Sequence, residues 1–128
     1  MKEIIAKILK ADIENKVKFI ILYGSQANGN STPMSDIDLA IYYDGDKKER
    51  FNFRIKISGI LNKKYDVQIF QDLPLQVKKE AIKGKVLHQT DYDFFFDIVM
   101  QVIKEYEFFR KYLDMYYENV QNEIAVAW

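Results

Sequence analysis

The sequence predicts an α/β (α+β) protein, a small mixed sheet flanked by helices and followed by a long C-terminal helix. Three observations lead there. The runs VKFIILYG, DIDLAIYY and YDVQIF are short, apolar and rich in β-formers. Segments of helical period separate or flank them, in the order helix, strand, strand, helix, strand, helix, short strand, helix. The 128 residues hold no repeat, linker or low-complexity tract, so they read as one domain, with residues 1–89 as its core and 90–122 as the final helix.

Each element has its own local cause. Ile4, Ile5, Ile8 and Leu9 recur at helical spacing and predict a helix from residue 2 to about 14. VKFIILYG follows as a strand ended by Gly24, and DIDLAIYY as a second strand stopped by the turn Asp44–Asp46. Asp46 is suited to cap the next helix, whose inner face carries Phe53, Ile57, Ile60 and Leu61. YDVQIF is the third strand. A short helix then has Pro74 in its first turn and Gly84 as its stop, and KVLHQ forms a small edge strand. Thr90 is placed as the cap of the last helix, with Asp91 and Asp93 in the first turn, where the helix dipole favours acids.

Composition narrows the function. Lys plus Arg and Asp plus Glu balance at 19 each, which argues against direct nucleic-acid binding, where a basic excess is expected. There is no cysteine and one histidine, so thiolate and histidine-cluster metal sites are unavailable. No apolar run approaches the ~20 residues of a membrane span, and the N-terminus lacks a signal-peptide layout. A soluble cytoplasmic protein is the expectation.

The unusual feature is a pair of acids at the mouth of an apolar strand. In a strand, residues two apart share a face, so Asp36 and Asp38 project together while Ile37 and Leu39 face away. Adjacent carboxylates repel, and a raised pKa or a bound cation relieves them. With oxygen the only donor, the suitable ion is hard, Mg²⁺ or Mn²⁺. Asp66 opens the third strand in the same way. If that strand neighbours the second, three carboxylates converge at one end of the sheet, as two-metal phosphoryl or nucleotidyl transfer requires. Ten residues before Asp36, Gly24 and Ser25 begin a loop whose free N–H groups and hydroxyl suit phosphate. Asp-x-Asp or Gly-Ser alone marks many ordinary turns; the combination is what is specific.

Gly24-Ser25, ten residues, then Asp36-x-Asp38 resembles the signature of the DNA polymerase β-like nucleotidyltransferase superfamily. GSQANGNSTPMSDIDLAI and YDVQIFQDLPLQVKKEAIKGKVLHQTD are similar to its minimal nucleotidyltransferase (MNT) branch, and the likeness extends over essentially the whole chain. Where many relatives carry basic residues this chain has Gln26 and Asn28. The resemblance implies the polymerase β-like fold and catalytic Asp36, Asp38 and Asp66 holding Mg²⁺ (two ions, Mn²⁺ as a substitute). It also implies Gly24 and Ser25 on the nucleotide phosphates. By the same likeness, the chain is an antitoxin that transfers AMP from ATP to a tyrosine of a HEPN-domain ribonuclease toxin. Two alternatives stand beside it: a non-catalytic antitoxin acting by contact, and nucleotidyl transfer to a small molecule, whose relatives carry an extra acceptor domain.

Other residues have ordinary explanations. Arg50 and Arg54, four apart, could reach a triphosphate, but an exposed helix face explains them as well; Lys47 and Lys48 read as solvated surface, His88 as an edge-strand residue and Glu80 as a water-facing turn. In the last third, Tyr92, Phe95, Phe96, Val99, Val102, Ile103, Tyr106, Phe109, Leu113, Tyr116, Tyr117 and Val120 follow a three-four spacing, with Phe94, Ile98, Phe108 and Met115 off that stripe. Such a helix outruns a small sheet. Its first half is expected on the core, and its second half on a HEPN-type partner or a second copy of this chain.

Overall fold

The computed structural model describes residues 1–24 and 36–127, with side chains placed through Glu123. Helix α1 (Lys2–Ala11) leads into the antiparallel strands β1 (Val17–Tyr23) and β2 (Ile37–Tyr43). Helix α2 (Lys47–Ile60) then crosses to β3 (Tyr65–Ile69), which lies parallel to β2, as a helical crossover permits. A single 3₁₀ turn (Phe70–Asp72), α3 (Leu75–Ala81), β4 (Lys85–Gln89) and α4 (Tyr92–Ala127) complete the chain. The strand order is β3-β2-β1-β4, so β1 and β2 are central and KVLHQ is the edge strand its composition indicates.

The sheet is covered on both faces, which is why β1 is apolar almost throughout. Ile20 and Leu22 of β1 join Leu39 and Ile41 of β2 beneath α1 and α2, where Ile8, Phe53 and Ile57 close the layer. The alternate residues Phe19, Ile21, Tyr23 and Ala40 meet Ala81 of α3 and Val102 of α4. Phe19 anchors this second layer, its ring edge-on to Phe70 and Phe95 at centroid distances of 5.2 and 5.0 Å.

Local chemistry sets the helix ends. Asp46 accepts from the Glu49 N–H at 2.8 Å while the Glu49 side chain reaches back to the Asp46 N–H, a complete capping box. Helix α1 stops at Ala11, short of the expected end near residue 14. There the buried Asp12 carboxylate accepts from the Lys16 and Val17 N–H groups at 2.9 and 2.8 Å and draws the chain into a turn. Asn15, at φ +57°, lies in that turn.

Four expectations are corrected. Asp91, not Thr90, caps α4: its carboxylate accepts from the N–H groups of Asp93 and Phe94, while Thr90 bonds through N–H and hydroxyl to the Lys18 carbonyl. On α2, Leu61 turns inward beyond the helix end and fills the space, leaving Ile60 exposed. On α4, the face against the sheet is Phe94, Phe95, Ile98 and Val102, so two residues placed off the stripe are in the core and Tyr92 and Phe96 are out of it. The helix also runs on to Ala127 rather than 122.

At 36 residues, α4 is about 54 Å long by the helical rise, roughly twice the reach of the strands it crosses. Phe108, Tyr112, Met115, Tyr116 and Tyr117 are accordingly exposed.

Asp12 gives a direct test of this account. Asp12→Ala leaves two N–H groups of a closed turn without acceptors and lowers the unfolding free energy by about 2–3 kcal/mol. Chemical denaturation of the two proteins measures it; a loss below ~0.5 kcal/mol, the scale of an ordinary surface substitution, shows that the turn does not depend on the carboxylate.

Candidate active site

The parallel pairing of β2 with β3 runs in register, Ile37 opposite Tyr65 and Leu39 opposite Val67, so Asp38 lies directly opposite Asp66. On the other side of β2, Asp38 is paired with Tyr23, the last residue of β1. Cross-strand partners share a face, and the three therefore form one row, Tyr23, Asp38, Asp66, at the end of the sheet where β1 finishes and β2 and β3 begin. Asp38 is half-buried and Asp66 exposed; the Gln68 amide, two residues along β3, donates to Asp66 Oδ1 at 3.0 Å.

Gly24 closes this row from the β1 side. Its φ is +76°, in the left-handed region that favours glycine, and a Cβ there would collide with Asp38 Oδ2. The missing side chain is the space in which the carboxylate rests. Asp36 stands just outside β2 and is exposed, adding its charge to the row from further away. Among the described residues no three His, Cys, Asp or Glu side chains form a metal-holding group: the structure joins Asp38 to Asp66 and leaves Asp36 outside that pair. Ser25, like Gln26 and Asn28, lies outside the described residues.

The electrostatics follow from this placement. Burial first, then the charges of Asp66 and Asp36 and a hydrogen bond shared with Asp66, push the Asp38 carboxyl above the usual range. Burial, with the negative charges of Asp38 and Asp66, pushes the Tyr23 phenol up to about 12, so it stays protonated at neutral pH. A row of this kind attracts cationic charge, and its all-oxygen donor set suits a hard divalent ion.

The other sequence candidates are engaged in the fold or on the surface. Arg50 Nη2 sits 2.8 Å from Asp72 Oδ1 and its Nη1 donates to the Gly45 carbonyl, while Arg54 Nε donates to the Val67 carbonyl at 3.0 Å. Lys47, Lys48 and Glu80 are exposed, and His88 lies in β4. Tyr23 and Gln68 are the residues missed by sequence reasoning. Gln68 follows from the two-residue period of a strand; Tyr23 needs the β1–β2 register.

The raised Asp38 pKa carries a pH dependence. The folded state holds this proton more tightly than the unfolded chain, so stability falls as pH climbs from the ordinary carboxylate pKa through the raised value. In chelator at pH 7, Asp38→Asn therefore melts above the parent, and the difference closes as pH drops below the carboxylate range. Thermal melts across pH measure it; a variant that melts lower at pH 7 overturns the account of Asp38.

Similarity to known proteins agrees with this geometry. Over 70 residues the chain is 41% identical to a Methanocaldococcus jannaschii protein named "Putative protein adenylyltransferase MJ1547", covering 55% of this chain and 53% of that protein. The chain thus spans about half the length of the curated relative it matches. A chain in the crystal structure of a toxin–antitoxin with AMP-PNP superimposes with a TM-score of 0.71 at 22% identity, covering 94% of this chain and 98% of that one. A chain of the Shewanella oneidensis complex of tri-AMPylated HEPN toxin with MNT antitoxin gives 0.64 at 19% identity, covering 94% and 98%. Identities this low speak for the fold, and the fold is the polymerase β-like one that the signature implies. The family description "Polymerase beta, Nucleotidyltransferase" matches residues 3–93, from α1 through the paired aspartates to the start of α4. By that match, which takes in every strand and both carboxylates of the row, the chain belongs to the polymerase β nucleotidyltransferase family.

Proposed function

We propose that this protein is a Mg²⁺-dependent nucleotidyltransferase that moves AMP from ATP onto a tyrosine of a HEPN-type ribonuclease toxin, acting as its antitoxin. The observation that carries the reading is the in-register pair Asp38–Asp66 with the Gly24 backbone against it. An acid pair at a strand end, where Gly24 makes room for the Asp38 carboxylate, suits a hard cation and, through it, a triphosphate better than a structural role. The relative named as a protein adenylyltransferase and the toxin–antitoxin folds support it. Residues 1–89 form the catalytic core in this reading.

The roles divide by position. Asp38 and Asp66 would hold Mg²⁺, with Asp36, which stands outside that pair in the structure, as the third ligand of this reading, and the ion would supply charge neutralisation and polarisation of the phosphates. The Gly24–Ser25 loop receives the phosphate chain. In this reading Asp66, exposed and with Oδ1 accepting from the Gln68 amide, takes the proton of the attacking hydroxyl. The new bond joins the tyrosine oxygen to the α-phosphorus; the bond to the bridging oxygen breaks and pyrophosphate leaves. Tyr23, protonated at neutral pH, forms the wall beside Asp38.

Two experiments test this. Mg²⁺ and ATP together raise the melting temperature more than either alone, because the triphosphate completes the ion's coordination; Asp38→Asn loses that synergy. With ATP, Mg²⁺ and a HEPN toxin, mass spectrometry finds AMP on a toxin tyrosine. Asp66→Asn lowers the rate roughly 100-fold or more while ATP binding persists. Full transfer by the Asp66 variant overturns its role. No transfer by the parent, with the toxin still silenced, favours inhibition by contact.

A further inference from the structure

Gln68 stands two residues beyond Asp66 on β3, so the two side chains share a face of the strand. The Gln68 Nε2 donates to Asp66 Oδ1 at 3.0 Å. An ionised carboxylate only accepts, so the amide presents its NH₂ to it. The fold favours this contact in two ways. Gln68 lies opposite Ala40 in register, and a neighbour that ends at Cβ leaves the glutamine stem room to fold back along its own strand. From the outer side, Arg54 Nε donates at 3.0 Å to the carbonyl of Val67, the residue between Asp66 and Gln68. Strand β3 is an edge of the sheet, and that bond holds its backbone where Asp66 and Gln68 must meet.

We propose that Gln68 is a positioning residue: it holds the Asp66 carboxylate in the orientation in which that group, with Asp38 opposite, takes a hard divalent cation. The proposal rests on the reading of Asp38 and Asp66 as cation ligands and adds what prepares one of them. Asp66 is exposed, and an exposed carboxylate that turns freely gives up rotamer freedom when it takes a ligand position. A bond made before the ion arrives removes part of that cost. With Oδ1 held by the amide, Oδ2 is the oxygen left wholly to the ion.

The neutrality of the amide matters as much as its reach. A lysine or arginine at this position would hold the carboxylate but offset the charge that attracts the ion. Glutamine orients the group and leaves its charge in place. The two arginines of α2 are engaged elsewhere, Arg54 on the Val67 carbonyl and Arg50 on Asp72 and the Gly45 carbonyl. Removing a hydrogen-bond partner of a metal ligand costs about 10- to 100-fold in metal affinity or activity, and that is the scale expected here.

Titration of the full chain with Mn²⁺, followed by electron paramagnetic resonance, tests this without ATP or an acceptor and so independently of AMP transfer. Gln68→Met keeps the length of the side chain and removes the donor. It binds Mn²⁺ about 10-fold or more weakly than the parent, while in chelator it melts within the range of an ordinary surface substitution. Placed on Asp66→Asn, where the carboxylate is gone, Gln68→Met weakens Mn²⁺ binding no further, because its effect passes through Asp66. A parent that binds no Mn²⁺ overturns the cation reading and the proposal with it. If the parent binds, and Gln68→Met binds as tightly or weakens Asp66→Asn by the factor it costs the parent, the positioning role is overturned and the cation reading stands. A Gln68→Met protein that melts far below the parent in chelator makes the residue a support of the fold instead, which also overturns the proposal.

Discussion

Two carboxylates held opposite each other across a parallel strand pair are the constraint on which the candidate site of this molecule depends. Asp38 and Asp66 sit in register because β2 and β3 are joined through α2 and pair residue for residue. Like charges at that spacing oppose folding unless a proton or a cation lies between them. The surrounding structure accepts the conflict: Gly24 yields space to Asp38, and Gln68 holds Asp66.

The rest of the fold holds that strand end in place. The sheet is buried on both faces, so β1 and β2 cannot slip by one residue without moving Ile20, Leu22, Leu39 and Ile41 out of one core layer and Phe19 and Ile21 out of the other. Asp12 ties the entry of β1, and Arg50, bonded to Asp72 and the Gly45 carbonyl, ties the exit of β2 to the turn after β3. These polar contacts lie at the sheet end remote from the aspartates.

Helix α4 serves two ends. Its first turns complete the core through Phe94, Phe95, Ile98 and Val102. Its distal half has no core to cover and leaves Phe108, Tyr112, Met115, Tyr116 and Tyr117 exposed among charged and polar residues. A single helix thus completes the core with its first turns and carries exposed aromatic side chains beyond it.

Features fixed within a turn or so of chain were legible in the sequence. The Asp46–Glu49 capping box, the edge character of KVLHQ, and acids at the mouths of apolar strands are all local patterns. Gly24, Asp36, Asp38 and Asp66 were named from such patterns, and the structure brings Gly24, Asp38 and Asp66 together at one sheet end. What tertiary structure decided is non-local. The register that pairs Asp38 with Asp66 and Tyr23 joins residues far apart in the chain. The face of α4 turned to the core was set by the sheet, so Phe94 and Ile98 went inside and Tyr92 and Phe96 outside. Asp91 rather than Thr90 became the cap because Thr90 was claimed by Lys18, a strand residue brought beside it by the fold. Propensity and period act along the chain; register and competition for partners exist only once distant segments meet.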